Sequence, residues 1–268
     1  MRANRLKSFV RGIIKKVPTA RLVYRIFLRE QARLRRVIVG PDRGEMYDKE
    51  TFRILRRALR RDSVCIDVGA HVGQVLREMV AVAPLARHHA VEALPHLASR
   101  LRTEFPSVEV HACAVSDEAG ERIFNHVEDA PAFSGLRKRR YERDDVLVSE
   151  IPVKVSRIDD LIDEDVPVRL IKMDIEGGEY HALLGARATL LRCKPIVIFE
   201  FGLGAADYYK VTPVMMYQFL SGDVGLRVST MSRWLSGQPP YDLTMFADSF
   251  SIGTDFYFIA YPDAAGSR

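Results

Sequence analysis

The run Val64 to Gly73, V-C-I-D-V-G-A-H-V-G, constrains the fold of this chain more than any other stretch. Its first five residues are nearly all apolar, as in a short strand buried on both faces. Gly69 permits a sharp turn, and Gly73 is expected to let the following helix pack close to the strand. From Gln74 to Ala83, apolar side chains recur at helical spacing (Val75, Leu76, Met79, Val80, Ala83). Strand, glycine-bearing turn and helix in succession predict a pocket at the carboxyl end of a parallel sheet.

The spelling of the turn narrows the ligand. A dinucleotide fold wants G-x-G-x-x-G; with the last glycine on Gly73, Val68 and Ala70 stand where the first two belong. The lysine and hydroxyl residue of a P-loop are missing too. The pattern D-x-G-x-x-x-G instead puts Asp67 inside the turn. A carboxylate there repels a pyrophosphate and suits a ligand with a cationic end, such as S-adenosylmethionine with its ammonium and sulfonium. Glu92, in A-V-E-A-L, follows Asp67 at close to the spacing, about 20 residues, at which a second-strand acid meets ribose hydroxyls.

The rest of the chain continues the alternation of helix and strand. A turn-rich joint is expected at Gly40–Gly44, a helix at Asp48–Arg61, and a second strand at His89–Ala93. Pro95 opens a helix through Leu97, Leu101 and Phe105, and a third strand is expected at Val108–Val115. Residues 120–158 read as an insertion. Within it, Arg122–Val127 and Ile151–Val155 alternate like paired half-buried strands around a polar loop with the basic run Arg137–Tyr141. That loop fits a solvated connection or a clamp over an anionic acceptor. Ser156 or Asp159 is expected to cap a short helix over Asp159–Asp163. A fourth strand (Val168–Met173) leads into D-I-E-G-G-E, followed by one helix through Leu190. A fifth strand (Pro195–Phe201) contains Glu200. Thr212 and Pro213 start a further helix, and Leu226–Thr230 and Phe256–Ala260 close the chain as strands.

The net charge of +5 conceals an asymmetry. Residues 1–38 hold twelve of the Lys and Arg residues and a single acid, for +11, which leaves −6 on the remainder. A basic patch confined to the leader argues against a nucleic-acid partner, which needs basic residues around the site. Two basic amphipathic helices are expected in the leader, which with the joint makes 1–44 an extension and 45–268 the main domain. The leader fits docking on an anionic membrane surface, at roughly 1 kcal/mol per basic residue near lipid. It equally fits packing on the body or on a second copy in a homodimer. Cys65, Cys113 and Cys193 have no metal-ligand spacing and read as thiols of a reducing, cytoplasmic compartment.

The acids expected at the carboxyl ends of the strands are Asp67, Glu92, Asp174, Glu176 and Glu200, with Lys172 just inside strand four. Methyl transfer to a hydroxyl needs an aligned donor and acceptor, and a base for the departing proton. Asp174 is the first candidate for that base or for orienting the acceptor; Glu176, Glu179 and Glu200 follow. An Asp174–Lys172 ion pair that only fixes the turn is the structural alternative. A divalent cation on Asp174, Glu176 and Glu200 is compatible with their chemistry, but the spacing does not demand one.

In order along residues 45–262, V-C-I-D-V-G-A-H-V-G, A-V-E-A-L-P, A-V-S-D, S-R-I-D-D-L-I, I-K-M-D-I-E-G-G-E and I-V-I-F-E-F-G resemble the FkbM family of S-adenosylmethionine-dependent methyltransferases. The resemblance implies a class I, Rossmann-like α/β fold with a mostly parallel sheet and an antiparallel last strand. It further implies O-methylation of a hydroxyl on a sugar, glycan, lipid-linked or other secondary metabolite. Asp67, Gly69, Gly73 and Glu92 then become donor-binding positions. Ala70 and His71 lie in the same turn, His71 where asparagine is frequent, and Ser116 and Asp117 fall near the adenine. Lys172, Asp174, Glu176 and Glu179 carry over as the family's K-x-D-x-E-G-x-E block. Two rivals stand beside this reading. Gln238-Pro-Pro-Tyr241 superficially resembles the N-P-P-Y motif of amino-group methylating enzymes, but it falls far from strand four and reads as a turn. A membrane-associated interaction protein that has lost turnover is the other.

Overall fold

A computed structural model describes residues 43–139 and 146–263. The chain divides into two units, residues 1–47 and 48–268. The expected leader helices lie outside the described residues, as do Arg140 and Tyr141 of the basic run. Helix α1 spans Arg43–Ala58, so Gly44 is helical rather than part of a turn.

The main sheet has seven strands. In chain order they are β1 (Val64–Val68), β2 (His89–Val91), β3 (Glu109–His111), β7 (Val168–Met173), β8 (Ile196–Glu200), β9 (Arg227–Thr230) and β10 (Tyr257–Tyr261). Their spatial order is β3-β2-β1-β7-β8-β10-β9. All pairs are parallel except those of β10, which runs antiparallel to both β8 and β9. This is the mostly parallel, Rossmann-like class I sheet with its antiparallel strand. Strand order reverses between β1 and β7, where the connections leave in opposite directions and a crevice opens at the carboxyl ends. Helices α2 (Gln74–Val82) and α3 (Pro95–Glu104) follow β1 and β2. The core beneath the crevice includes Ile66, Val68, Ile171, Met173, Val197 and Phe199, all within 0% of exposure.

The run read as one third strand divides. Glu109–His111 pairs with β2, whereas β4 (Ala114–Val115) joins a small second sheet of order β4-β6-β5. Both halves bury apolar side chains, so hydrophobicity along the run cannot show which sheet each enters. The inserted strands β5 (Gly120–Val127) and β6 (Val148–Ser156) pair antiparallel, as their alternation predicts.

The helix after β7 is also two helices, α4 (Glu179–Leu184) and α5 (Arg187–Cys193). Asp159 does not cap its own segment, a single 3₁₀ turn at Ile158–Asp160. Its carboxylate accepts from the backbone N–H groups of Ala188 and Thr189, both at 2.9 Å, and so caps α5 from across the fold. The remaining helices are α6 (Pro213–Tyr217), capped by Thr212 as expected, α7 (Met231–Leu235) and α8 (Leu243–Ile252). The last two were not apparent from the pattern. Gln238–Tyr241 lies between them, just past a turn at Ser236–Gly237, with Tyr241 bridged to Val228.

Candidate active site

Three strand ends meet at the switch point, and a cavity of about 200 Å³ opens there. Asp67, Gly69, Ala70, His71, Glu92, Lys172, Asp174 and Glu176 all line it. Gly73, Ser116, Asp117 and Glu200 do not.

The β1 turn owes its shape to close approach. Gly69 has φ +78°, and a Cβ there would stand 2.0 Å from the carbonyl oxygen of Asp174. The two strand-end turns are thus in backbone contact, which only glycine permits. Gly73, also left-handed, lies against Leu101 and Phe105 rather than against its own strand. The close approach is to the end of α3, not between strand and following helix. His71 takes φ 49°, a left-handed conformation more usual for asparagine. Burial lowers the affinity of its imidazole for a proton, although Asp174 opposes the shift.

Glu92 holds the turn from the side. One oxygen accepts from the His71 N–H and the other from the Leu94 N–H, both at 2.8 Å. Asp67 is fully buried, accepts from the Leu76 backbone N–H in the first turn of α2, and leaves its Oδ1 without a hydrogen-bond partner. Burial raises the pKa of Asp67, against the pull of Lys172.

Lys172, itself buried, bridges the two turns. Its Nζ lies 3.8 Å from Asp67 Oδ1 and 3.4 Å from Asp174 Oδ2. Burial favours its neutral form, but Asp174 and Asp67 outweigh that and keep it a cation. The ion pair anticipated between Lys172 and Asp174 is present. Asp174 Oδ2 also accepts from Tyr257 Oη at 2.5 Å. Burial alone would raise the pKa of Asp174; Lys172, Tyr257 and Glu200 reverse that and hold it below the usual carboxylate range. Burial, together with Asp174 and Glu179, pushes Glu200 well above that range, and the two carboxyl groups share a hydrogen bond.

The D-I-E-G-G-E loop is pinned by its last residue. Glu179 Oε1 accepts from the Ile175 N–H at 2.9 Å and the Gly177 N–H at 3.3 Å, while burial raises its pKa to about 7. Glu179 therefore supports the loop from beneath. Glu176, left-handed at φ 61°, reaches the cavity wall and pairs with Arg139, whose guanidinium also lies over the Phe133 ring. Oxygens of Asp174, Glu176 and Glu200 lie within 4.8 Å of one another and could hold a divalent cation. Lys172 and Arg139 already balance much of that charge.

Ser116 and Asp117 face a neighbouring cleft instead, with Arg122, Arg137 and His181. The Ser116 hydroxyl donates to Asp117 at 2.8 Å, and His181 lies 3.3 Å from the other carboxylate oxygen. Leu136 and Tyr209 line both spaces, so they separate this cleft from the cavity. Sequence reasoning missed Tyr257 and Tyr209. Tyr257 is brought to Asp174 by the antiparallel register that sets it opposite Glu200. The Tyr209 hydroxyl accepts from the Arg137 N–H at 3.1 Å and ties the insertion to the segment after β8.

Residues 67–225, more than half of the chain, match the sequence profile of the methyltransferase FkbM domain. The chain belongs to the FkbM methyltransferase family. It is 29% identical over 157 residues to the 31-O-demethyl-FK506 methyltransferase FkbM of Streptomyces tacrolimicus, covering 47% of this chain and 60% of that protein. It is 25% identical over 175 residues to the antimetabolite synthetase AmbE of Pseudomonas aeruginosa, covering 51% of this chain and 8% of the synthetase. The chain thus spans less than two thirds of either relative. Among solved structures, it is similar to a methyltransferase FkbM from Methylobacillus flagellatus at 20% identity and TM-score 0.43, over 76% of this chain and 44% of that one. The FkbM profile ends before β10, so Tyr257 lies outside the matched residues.

Proposed function

We propose that this FkbM-family protein is an S-adenosylmethionine-dependent O-methyltransferase acting on a hydroxyl of a sugar, glycan, lipid-linked or other secondary metabolite. The observation that carries the reading is the junction of the β1 turn and the β7 turn at one cavity. One side offers Asp67, Glu92 and the β1 backbone; the other offers Asp174 and Glu176. The 31-O-methylation in the name of the Streptomyces relative supports oxygen as the acceptor atom.

The donor fits the β1 side. Asp67 Oδ1, buried in the wall beside Lys172 and without a hydrogen-bond partner, can accept from an ammonium group. Glu92 has both oxygens fixed by backbone N–H groups, and its remaining lone pairs can serve ribose hydroxyls. Bound there, S-adenosylmethionine supplies an electrophilic methyl group on a cationic sulfur. Asp174, ionised and held rigidly by Lys172 and Tyr257, accepts a hydrogen bond from the acceptor hydroxyl and aims its oxygen. Its depressed pKa suits orientation better than strong basicity. Glu176 and Arg139 shape the acceptor side. Glu200, behind Asp174, positions that carboxylate rather than touching the acceptor.

Thermal melting with S-adenosylhomocysteine tests the donor site, since a ligand at 100 times its Kd adds about 2.7 kcal/mol. The absence of a shift would favour a non-catalytic interaction protein. A panel of glycan and lipid-linked hydroxyl acceptors with labelled donor then tests the reaction, and full activity of Asp174→Asn would remove that residue from it. The leader, residues 1–38, is proposed on its charge to dock peripherally on anionic membrane. Equal liposome binding by the full chain and by a chain starting near Gly40 would oppose this. Among the described residues, no helix is long and apolar enough to cross a membrane.

A further inference from the structure

Away from the cavity, the β2–β3 edge of the main sheet carries two histidines and a glutamate with no part in methyl transfer. Side chains alternate along a strand, so Glu109 and His111 share one face of β3. The parallel register sets His89 opposite Glu109 and Val91 opposite His111, which brings His89 to that same face. His89 Nδ1 lies 3.3 Å from His111 Nε2, with the rings stacked at 8°. Glu109 Oε2 is 4.0 Å from His89 Nδ1, and the three ligand atoms all lie within 4.8 Å of one another. None of these residues lines the cavity.

We propose that His89, Glu109 and His111 bind one zinc-class divalent cation at this sheet edge. A tetrahedral ion with bonds of about 2.0–2.1 Å to nitrogen holds its ligands about 3.3–3.4 Å apart, and the two imidazole nitrogens already stand at that separation. Two imidazoles and one carboxylate select zinc, cobalt or nickel over the oxygen-seeking magnesium and calcium. Burial favours the neutral form of both imidazoles, and coordination uses the tautomers in which His89 Nδ1 and His111 Nε2 carry no proton, so the ion replaces the hydrogen bond between them. His89 is buried, which fixes its ring, while the Glu109 side chain is 39% exposed and gives the ion access from solvent. Arg87 competes for Glu109 at 3.2 Å, but it is 75% exposed and can swing into water. Arg102 and Lys154 face His111, and Asp163 faces His89, so the surrounding charge is mixed. A bound ion would pin β3 to β2, whose carboxyl end leads to Glu92.

The test uses full-length, chelator-treated protein titrated with Zn²⁺ by calorimetry and with Co²⁺ by visible absorption. One equivalent of Zn²⁺ should bind with micromolar or tighter affinity and raise the Tm, and Co²⁺ should give the d–d bands of an imidazole-ligated ion. His111→Ala and the near-isosteric Glu109→Gln should each weaken binding at least about tenfold, with folding checked by circular dichroism. Glu200→Gln should leave it unchanged, which separates this site from the carboxylates beside the cavity. No binding by the native protein would overturn the proposal. So would undiminished binding in Glu109→Gln, since the pair would then be only a hydrogen bond between two histidines.

Discussion

Replacing Lys172 by Met tests the electrostatic bridge between the two halves of the site. The ammonium lies 3.4 Å from Asp174 and 3.8 Å from Asp67; Lys172 and Asp67 are buried, and the Asp174 side chain is 32% exposed. At an effective dielectric of about 20, each pair attracts by about 4–5 kcal/mol. Removing the cation also removes the cost of burying it, so the net loss is smaller than the sum. Breaking a buried pair by deleting one partner costs about 3–5 kcal/mol, and this is the expected destabilisation near neutral pH. The pH dependence supplies the sharper check. Without Lys172, the folded-state pKa of Asp174 rises above its unfolded value of about 3.9, and that of Asp67, already raised by burial, rises further. The unfolded chain then loses these protons first as pH rises, so the variant's stability falls above about pH 4 and its deficit shrinks toward acid. In the native protein the depressed Asp174 acts oppositely: its contribution is present above its unfolded pKa and lost as pH falls through the folded value. Urea unfolding of both proteins by circular dichroism at pH 5 and pH 8 measures the difference. A deficit below about 1 kcal/mol, equal at both pH values, would refute the reasoning, since such losses are typical of surface pairs.

Three further outcomes are expected. Glu179→Gln keeps an acceptor for Ile175 and Gly177 but removes an acid whose pKa is raised from 4.5 to about 7. The native protein should lose stability between those two pH values, by of order 3 kcal/mol at about 1.4 per unit, and the variant should not; parallel urea-midpoint profiles would contradict this. Gly69→Ala forces a methyl group onto the Asp174 carbonyl at positive φ, so S-adenosylhomocysteine binding should be abolished and stability lowered by more than about 2 kcal/mol; an unchanged Kd by calorimetry would count against it. Tyr257→Phe removes the 2.5 Å donor to Asp174. This should raise the pKa of Asp174, move the acid limb of the kcat/KM profile to higher pH, and lower kcat/KM about ten- to hundredfold, as for loss of a hydrogen bond to a charged group.

Much of the site is legible in the chain because its parts are local. The apolar run of β1, the glycine in its turn and the helix behind it all lie within twenty residues, and steric rules for turns act over that range. Glu92 and the K-x-D-x-E-G-x-E block could be placed likewise, since each sits where an apolar strand ends. Ser116 and Asp117 line the neighbouring cleft rather than the cavity because the run 108–115 changes sheets midway. Asp159 looked like a cap for its own segment, yet it caps a helix some thirty residues later. A capping side chain specifies an acceptor but not which helix end will arrive beside it.

The sequence by itself determined the architecture, the position of the β1 turn and the identity of the acids around it, because periodicity, turn sterics and motif spacing are short-range properties. Only the tertiary structure decided what those acids are. Lys172 bridges Asp67 and Asp174, burial beside Asp174 raises the pKa of Glu200, Glu179 supports a loop, and Tyr257 reaches Asp174 from 83 residues away. Strand register and burial set each of these roles. Both depend on which distant segments pair, and a carboxylate's charge follows from the neighbours that pairing brings.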